Sequence, residues 1–365
     1  MSGGRRPDIG AAAAPAFYGV SFSGQAQIRQ ELDWFRHPAA ARVANSLFDD
    51  GPDTSLAARL RCNGRIVRSF TREPAMTQSV PESTCILTLS CASAAGQIAA
   101  VTSFLETRGC YIDDIAVFDD KREQRFFARC VFHPTGGDAL PIETLREDFR
   151  AIGERFGMQW AIELAATRPR VLIMVSKLDH CLNDLIYRWR IGELKIDIVA
   201  VVSNHPDHAP IAAAHGIRFH HLPLTPETKR AQEAALLALI GEYRADLVVL
   251  ARYMQILSEE LSASLSGRAI NIHHSFLPGF KGARPYHQAH SRGVKLIGAT
   301  AHFVTTDLDE GPIIEQVVER VDHSYEPEQL LSTGRDMECQ ALSRALKLQV
   351  ERRVFLHGQR TVVLR

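Results

Sequence analysis

The chain has 365 residues, 45% hydrophobic and 23% charged, with 42 Lys+Arg against 42 Asp+Glu. That length can carry two cored domains, while the balanced charge argues against a nucleic-acid partner and the lack of any apolar run near about 18 residues argues against a membrane partner. Seven scattered cysteines with no Cys-x-x-Cys fit a reducing, cytoplasmic setting rather than a disulfide framework, and the His273-His274 pair has no further ligand at zinc spacing, so no metal is expected.

The first stretch, about 80 residues, carries little periodic pattern. Ala11 to Ala14 and Gly3-Gly4 predict a poorly structured extension, with one short amphipathic helix through Trp34, Phe35, Leu47 and Phe48. Three readings stay open: a natural start at Met76, a disordered extension, or a targeting peptide. From residue 84 the pattern sharpens. Residues 85–90 alternate as a half-buried strand, and 94–107 place Ile98, Val101, Phe104 and Leu105 at helical spacing before Gly109. Strands follow at 111–118 and 125–132 around a polar turn, then a helix at 142–156 and a strand at 159–164. The order βαββαβ is the ferredoxin-like split βαβ.

Beyond Arg168-Pro169-Arg170 the rhythm changes. Continuous apolar strands at 171–175 and 196–202 alternate with helices at 181–189 and 211–215. A strand at 217–220, a helix at 227–243 and strands at 247–250 and 269–272 continue the alternation. Strands at 297–304 and 313–318, a helix at 327–348 and a short tail complete the chain. Such alternation predicts an α/β fold with a doubly wound, mostly parallel sheet, whose ligands sit at the carboxyl ends of the strands. Asn271 and His273 fall at such an end.

Asn271, His273 and Asp309 bring an amide, an imidazole and a carboxylate together in one region of sequence. Those groups serve acyl chemistry without a metal or a covalent nucleophile. An amide N–H and an imidazolium steady an oxyanion, and a carboxylate takes a proton from the attacking group. Each residue alone is more simply a turn former or a surface group; their combination and spacing carry the chemical reading. No nucleophile elbow, P-loop or dinucleotide fingerprint is present.

From Val171 to about Arg352 the chain resembles the folate-dependent formyltransferase fold. The matching motif is Asn271, His273, His302-Phe303-Val304 and Asp309-Glu310-Gly311. The βαββαβ unit resembles an ACT domain. Their combination, over residues 84–356, resembles the family of formyltetrahydrofolate deformylases. The implied organisation is an extension at 1–80, an ACT-like regulatory domain at 84–166 and a catalytic domain at 170–356. The implied activity is hydrolysis of 10-formyltetrahydrofolate to formate and tetrahydrofolate, balancing one-carbon pools and supplying formate for purine synthesis. The folate is substrate, and no cofactor is implied.

The glycine-free loop Ser176-Lys177-Leu178-Asp179-His180 argues against a phosphate cradle of the glycinamide ribonucleotide transformylase kind. The chain's end soon after the catalytic fold leaves no room for a tRNA-holding domain. One feature departs from the ACT pattern: Ser93-Ala94-Ala95-Gly96 stands where an Asp-x-x-Gly turn is usual, which puts effector binding in question.

The resemblance implies that Asn271 and His273 hold the oxyanion and that Asp309 partners His273 and the water. Met254, Gln255, Ile256 and Leu257 grip the pterin, and His302 places Asp309 or a water. Lys177 and His180, with Asp179, lie where a transferase receives its amine, and admit or hold water instead. His274 points away from His273 if the segment stays extended, and Cys181 belongs to the core. A homo-oligomer and an amino-acid effector at the ACT-like domain are implied partners. Two rivals remain: a transferase passing formyl to an amine, and a non-catalytic binding regulator.

Overall fold

Strand β1 (Cys85–Ala92) alternates Cys85, Leu87, Leu89 and Cys91 onto one face of a four-stranded antiparallel sheet. Two helices cover that face: α1 (Gln97–Thr107), through Val101, Phe104 and Leu105, and α2 (Ile142–Phe156), through Leu145 and Phe149. With β2 (Cys110–Asp120), β3 (Arg125–Pro134) and β4 (Gln159–Leu164), the sheet order is β2-β3-β1-β4. In this computed structural model the described residues are 83–136, 141–277 and 285–365, and residues 77–365 form one compact unit. The readings made for residues 1–80 lie outside the described residues. Helix α1 begins three residues later than its apolar spacing predicts. Gly96 adopts φ 87° ahead of it, and Gln97 turns its side-chain amide back onto the Ala92 carbonyl.

The second sheet has seven strands in the order β11-β10-β9-β8-β5-β6-β7. Its strands are β5 (Arg170–Val175), β6 (Asp197–Ser203), β7 (Phe219–His221), β8 (Leu247–Leu250), β9 (Ala269–His273), β10 (Leu296–Phe303) and β11 (Ile313–Arg320). Strands β5 to β9 are parallel, and β10 runs antiparallel to both neighbours. The apolar run of β5 is explained by burial on both faces. Val171, Ile173 and Val175 pack into one core, Leu172 and Met174 into another. Each such side chain contributes roughly 1.5–3 kcal/mol when fully buried.

Helices α3 (His180–Arg190), α4 (Ala209–Ala214), α5 (Lys229–Glu242), α6 (Glu259–Ser264), α7 (Pro285–Ser291) and α8 (Pro327–Val350) complete the layers. Helix α8 opens with a capping box between Glu326 and Gln329 and buries Leu330, Met337, Ala341, Leu342, Ala345 and Leu346. No helix among the described residues is long and apolar enough to cross a membrane.

The short tail expected after α8 is instead a hairpin, β12 (Val354–His357) with β13 (Arg360–Val363). It lays Phe355 and His357 edge-on against Phe127 of β3, covering the sheet face that α1 and α2 leave bare. Arg129, 4% exposed on the same strand, donates Nε–H to the Glu351 carbonyl and Nη1–H to Asp114. The chain reverses sheet direction between β5 and β8, so a crevice opens at their carboxyl ends.

Candidate active site

Strand β9 ends in Asn271-Ile272-His273, and antiparallel pairing sets Asn271 opposite His302 and His273 opposite Thr300. Asn271 and His273 thus share a sheet face by strand alternation, together with His302 from β10. Asp309 reaches them from the loop joining β10 to β11, in a left-handed conformation with φ 57°. The loop closes through Gly311. A Cβ there would sit 1.7 Å from the Phe303 carbonyl oxygen, so only glycine permits the approach that brings Asp309 home.

His273, 5% exposed, places Nδ1 3.2 Å from Asp309 Oδ1. Its other nitrogen, Nε2, is buried without a hydrogen-bond partner, on a ring that lines the cavity. Burial opposes ionisation of Asp309, but the His273 hydrogen bond and the charges of His273 and His302 outweigh it and hold the carboxyl below its ordinary range. His302 is pushed down, chiefly by burial. Its Nδ1–H donates to the Phe303 carbonyl at 2.9 Å, leaving Nε2 to accept from Asn271 Nδ2 at 3.3 Å. His302 therefore orients the Asn271 amide. One Nδ2 hydrogen goes to His302 and the second is left for a ligand. His302 also lies 3.8 Å from Asp309.

His274 does not point away from His273. The strand ends at His273, the chain bends, and the two rings meet edge-to-face with centroids 5.1 Å apart. Burial, with the Arg252 and His273 charges, pushes the His274 imidazole down to about 4.

These residues line a cavity of about 680 Å³, within the range of small-molecule sites. One wall is the segment after β8, with Met254, Gln255, Ile256 and Leu257. Met254 and Ile256 are 53% and 63% exposed, an apolar surface open to a flat ring. Sequence reasoning missed how the segment is held. Ser176, buried after β5, accepts from the Met254 backbone N–H at 3.0 Å and donates to Asn204 at 2.7 Å. Gln232 Nε2 donates to Tyr253 Oη at 3.0 Å. Such partners lie far apart in sequence and leave no periodic signal.

His180 lines the cavity, whereas Lys177 does not; Lys177 is exposed, a loop charge facing water. Sequence reasoning also missed Glu338 on α8, 2% exposed. Its Oε2 accepts from His180 at 2.7 Å and lies 3.2 Å from Arg252 Nε, and its Oε1 accepts from Tyr286 at 3.1 Å. The Arg252 contact is a charge pairing rather than an aligned hydrogen bond. Burial works against the Glu338 charge, but His180 and Arg252 overcome it and hold the carboxyl low. Gly334, one turn earlier, makes room for the Tyr286 ring, which an added Cβ would meet at 2.1 Å. His180, Cys181 and Glu338 bring possible metal-ligand atoms within 4.8 Å of one another. Both Glu338 oxygens already have donors, and the hydrogen bond to Cys339, followed by burial, keeps the Cys181 thiol protonated.

Residues 169–346 match the family model described as formyl transferase. The chain is 51% identical over 282 residues to a formyltetrahydrofolate deformylase of Corynebacterium sp. (strain P-1), covering 77% of this chain and 98% of that one. It resembles the crystal structure of a formyltetrahydrofolate deformylase from Burkholderia mallei, with 66% identity and TM-score 0.74, over 77% of this chain and 99% of that one. A glycinamide ribonucleotide transformylase from Symbiobacterium toebii shares 30% identity and TM-score 0.51, over 54% of this chain and 95% of its own. The chain belongs to the formyltetrahydrofolate deformylase family.

Proposed function

We propose that the chain hydrolyses 10-formyltetrahydrofolate to formate and tetrahydrofolate, with Asn271, His273 and Asp309 as the reacting groups. The observation that carries the reading is the unpaired Nε2 of His273, on a buried ring whose other nitrogen meets Asp309. With Nδ1–H given to Asp309, Nε2 carries a hydrogen in the imidazolium form, and in that form it is a donor in want of an acceptor. The pterin lies along Met254, Gln255, Ile256 and Leu257, and the formyl oxygen takes hydrogen bonds from His273 Nε2 and the free Asn271 Nδ2 hydrogen. Asp309, held ionised, orients a water and takes its proton as the oxygen attacks the formyl carbon. Negative charge builds on the formyl oxygen and is met by donors already in place. As the C–N10 bond breaks, N10 receives the proton. The formic acid released gives up its remaining acidic proton to become formate.

The finer parts of the reading concern the four-stranded sheet and the cell. An amino-acid effector fits the turn at residues 93–96, where Ser93 hydrogen-bonds Asp119 and so draws a carboxylate to the position the sequence leaves without one. Edge strand β2 exposes Tyr111, Ile115, Val117 and Phe118, a surface suited to a second copy. The free thiols suit a cytoplasmic location.

The test offers 10-formyltetrahydrofolate with water as the sole acceptor. Formate and tetrahydrofolate in equal amounts are expected. No formate, with formyl moving to added glycinamide ribonucleotide, would establish the transferase instead.

A further inference from the structure

A second buried polar cluster lines the same cavity and has no part in the hydrolytic step. At its centre Glu338 holds His180, Tyr286 and Arg252. It adjoins the reacting groups through touching rings. His273 meets His274 at 5.1 Å, and His274 meets Tyr286 at 6.5 Å.

Arg252 is the unusual member. It is 7% exposed, lies at the carboxyl end of β8 in the crevice facing β5, and has φ 66°. A left-handed backbone strains a non-glycine residue, and glycine would sit there unstrained. A cation is nevertheless kept there, buried and braced by a carboxylate whose every oxygen is engaged. Folding gains little from such a pair. What the pair does to the cavity is clear from volume. It fixes a bulky side chain on the cavity wall.

Any formyl acceptor must reach the formyl carbon through this cavity. The Arg252 side chain, held against Glu338, fills wall volume that a glycine would leave open to a nucleophile larger than water. Water is small enough to pass. We propose that Arg252, held in place by Glu338, is the specificity-determining residue that restricts the acceptor to water. Selection here works by exclusion rather than by added attraction. The proposal rests on the hydrolytic reading above. The competing step balances in the same way: an amine nitrogen bonds to the formyl carbon, the C–N10 bond breaks, and the amine's lost proton goes to N10, with no oxidant or reductant.

The experiment gives the full-length enzyme 10-formyltetrahydrofolate in water alone and with added hydroxylamine. It measures formate and N-hydroxyformamide against an enzyme-free control. The wild type gives formate nearly alone. Arg252→Gly, whose backbone suits φ 66°, raises the hydroxyformamide-to-formate ratio at least 10-fold. Arg252→Lys, which restores a long side chain able to pair with Glu338, brings the ratio back toward wild type. Glu338→Gln, which frees the guanidinium, raises it by a smaller factor and decides the matter should Arg252→Gly not fold. A ratio within two-fold of wild type in every folded variant overturns the proposal. So does a raised KM for the folate with no hydroxyformamide, which makes Arg252 a folate anchor. Wild-type enzyme that releases no formate in the water-only arm defeats the hydrolytic reading itself, a result separate from the ratio.

Discussion

Two buried polar clusters line one cavity, and they differ in what they leave unpaired. Around Glu338 both carboxylate oxygens are engaged, by Tyr286, His180 and Arg252. Around His273 and Asp309 one imidazole nitrogen and one amide hydrogen remain without a protein partner. In the proposed reading the cluster with the engaged carboxylate, where Arg252 Nε keeps only a charge pairing, is a wall and the other is the site. Burial alone does not distinguish them, because Glu338 and His273 are only 2% and 5% exposed. The carboxylates do: both Glu338 oxygens are engaged by neighbouring side chains, whereas Asp309 meets His273 through Oδ1.

The comparison breaks first at His273. His273→Ala is expected to lower kcat by about 10²–10³, the usual cost of losing an oxyanion donor, with little change in the thermal midpoint. A fall confined to KM would show that the ring only holds folate.

The next effect is on stability and concerns His274. Its native imidazole titrates at about 4 against an ordinary 6.5, so between those values the unfolded chain binds more protons. Stability therefore falls as pH drops from 6.5 to 4, by about 3 kcal/mol in all, and changes little below. His302, also pushed down, adds to the same window. Asp309 and Glu338 have lowered values, so the stability they contribute is lost only below the ordinary carboxylate range. Urea unfolding at pH 7 and pH 4.5 measures the drop. His274→Asn shrinks it, and an unchanged drop would place the titrating group elsewhere.

A smaller effect is expected at Gly311. Gly311→Ala forces a Cβ into the Phe303 carbonyl and destabilises by about 1–3 kcal/mol while displacing Asp309. Denaturant midpoints and kcat read both parts, and a variant with wild-type values in both would show that the loop relaxes freely. Smallest is Ser176→Ala, which removes the acceptor of the Met254 N–H. A loss of about 1 kcal/mol, seen as a roughly five-fold rise in KM with kcat kept, is expected. A fall in kcat alone would place Ser176 in the chemical step.

The unsaturated site was far more legible in the sequence than the wall. Asn271 and His273 sit two residues apart on a strand, and Asp309 precedes a glycine that the Phe303 carbonyl requires. Strand β5 and helix α2 were legible because a buried apolar run and an amphipathic stripe are local signals. Of the wall only His180 was singled out, because Glu338, Arg252 and Tyr286 come from separate segments and meet it only after packing. Helices α6 and α7 were too short to carry a period, and the bend after His273 that turns His274 back is a tertiary effect. Lys177, which the resemblance put where a transferase receives its amine, is exposed and does not line the cavity.

The most direct measurement is a crystal structure of Asp309→Asn soaked with 10-formyltetrahydrofolate. The account predicts unreacted substrate with its formyl oxygen within hydrogen-bonding distance of both Asn271 Nδ2 and His273 Nε2. A formyl group lodged against Glu338 and Arg252 instead, with His273 Nε2 still unpaired, would contradict it.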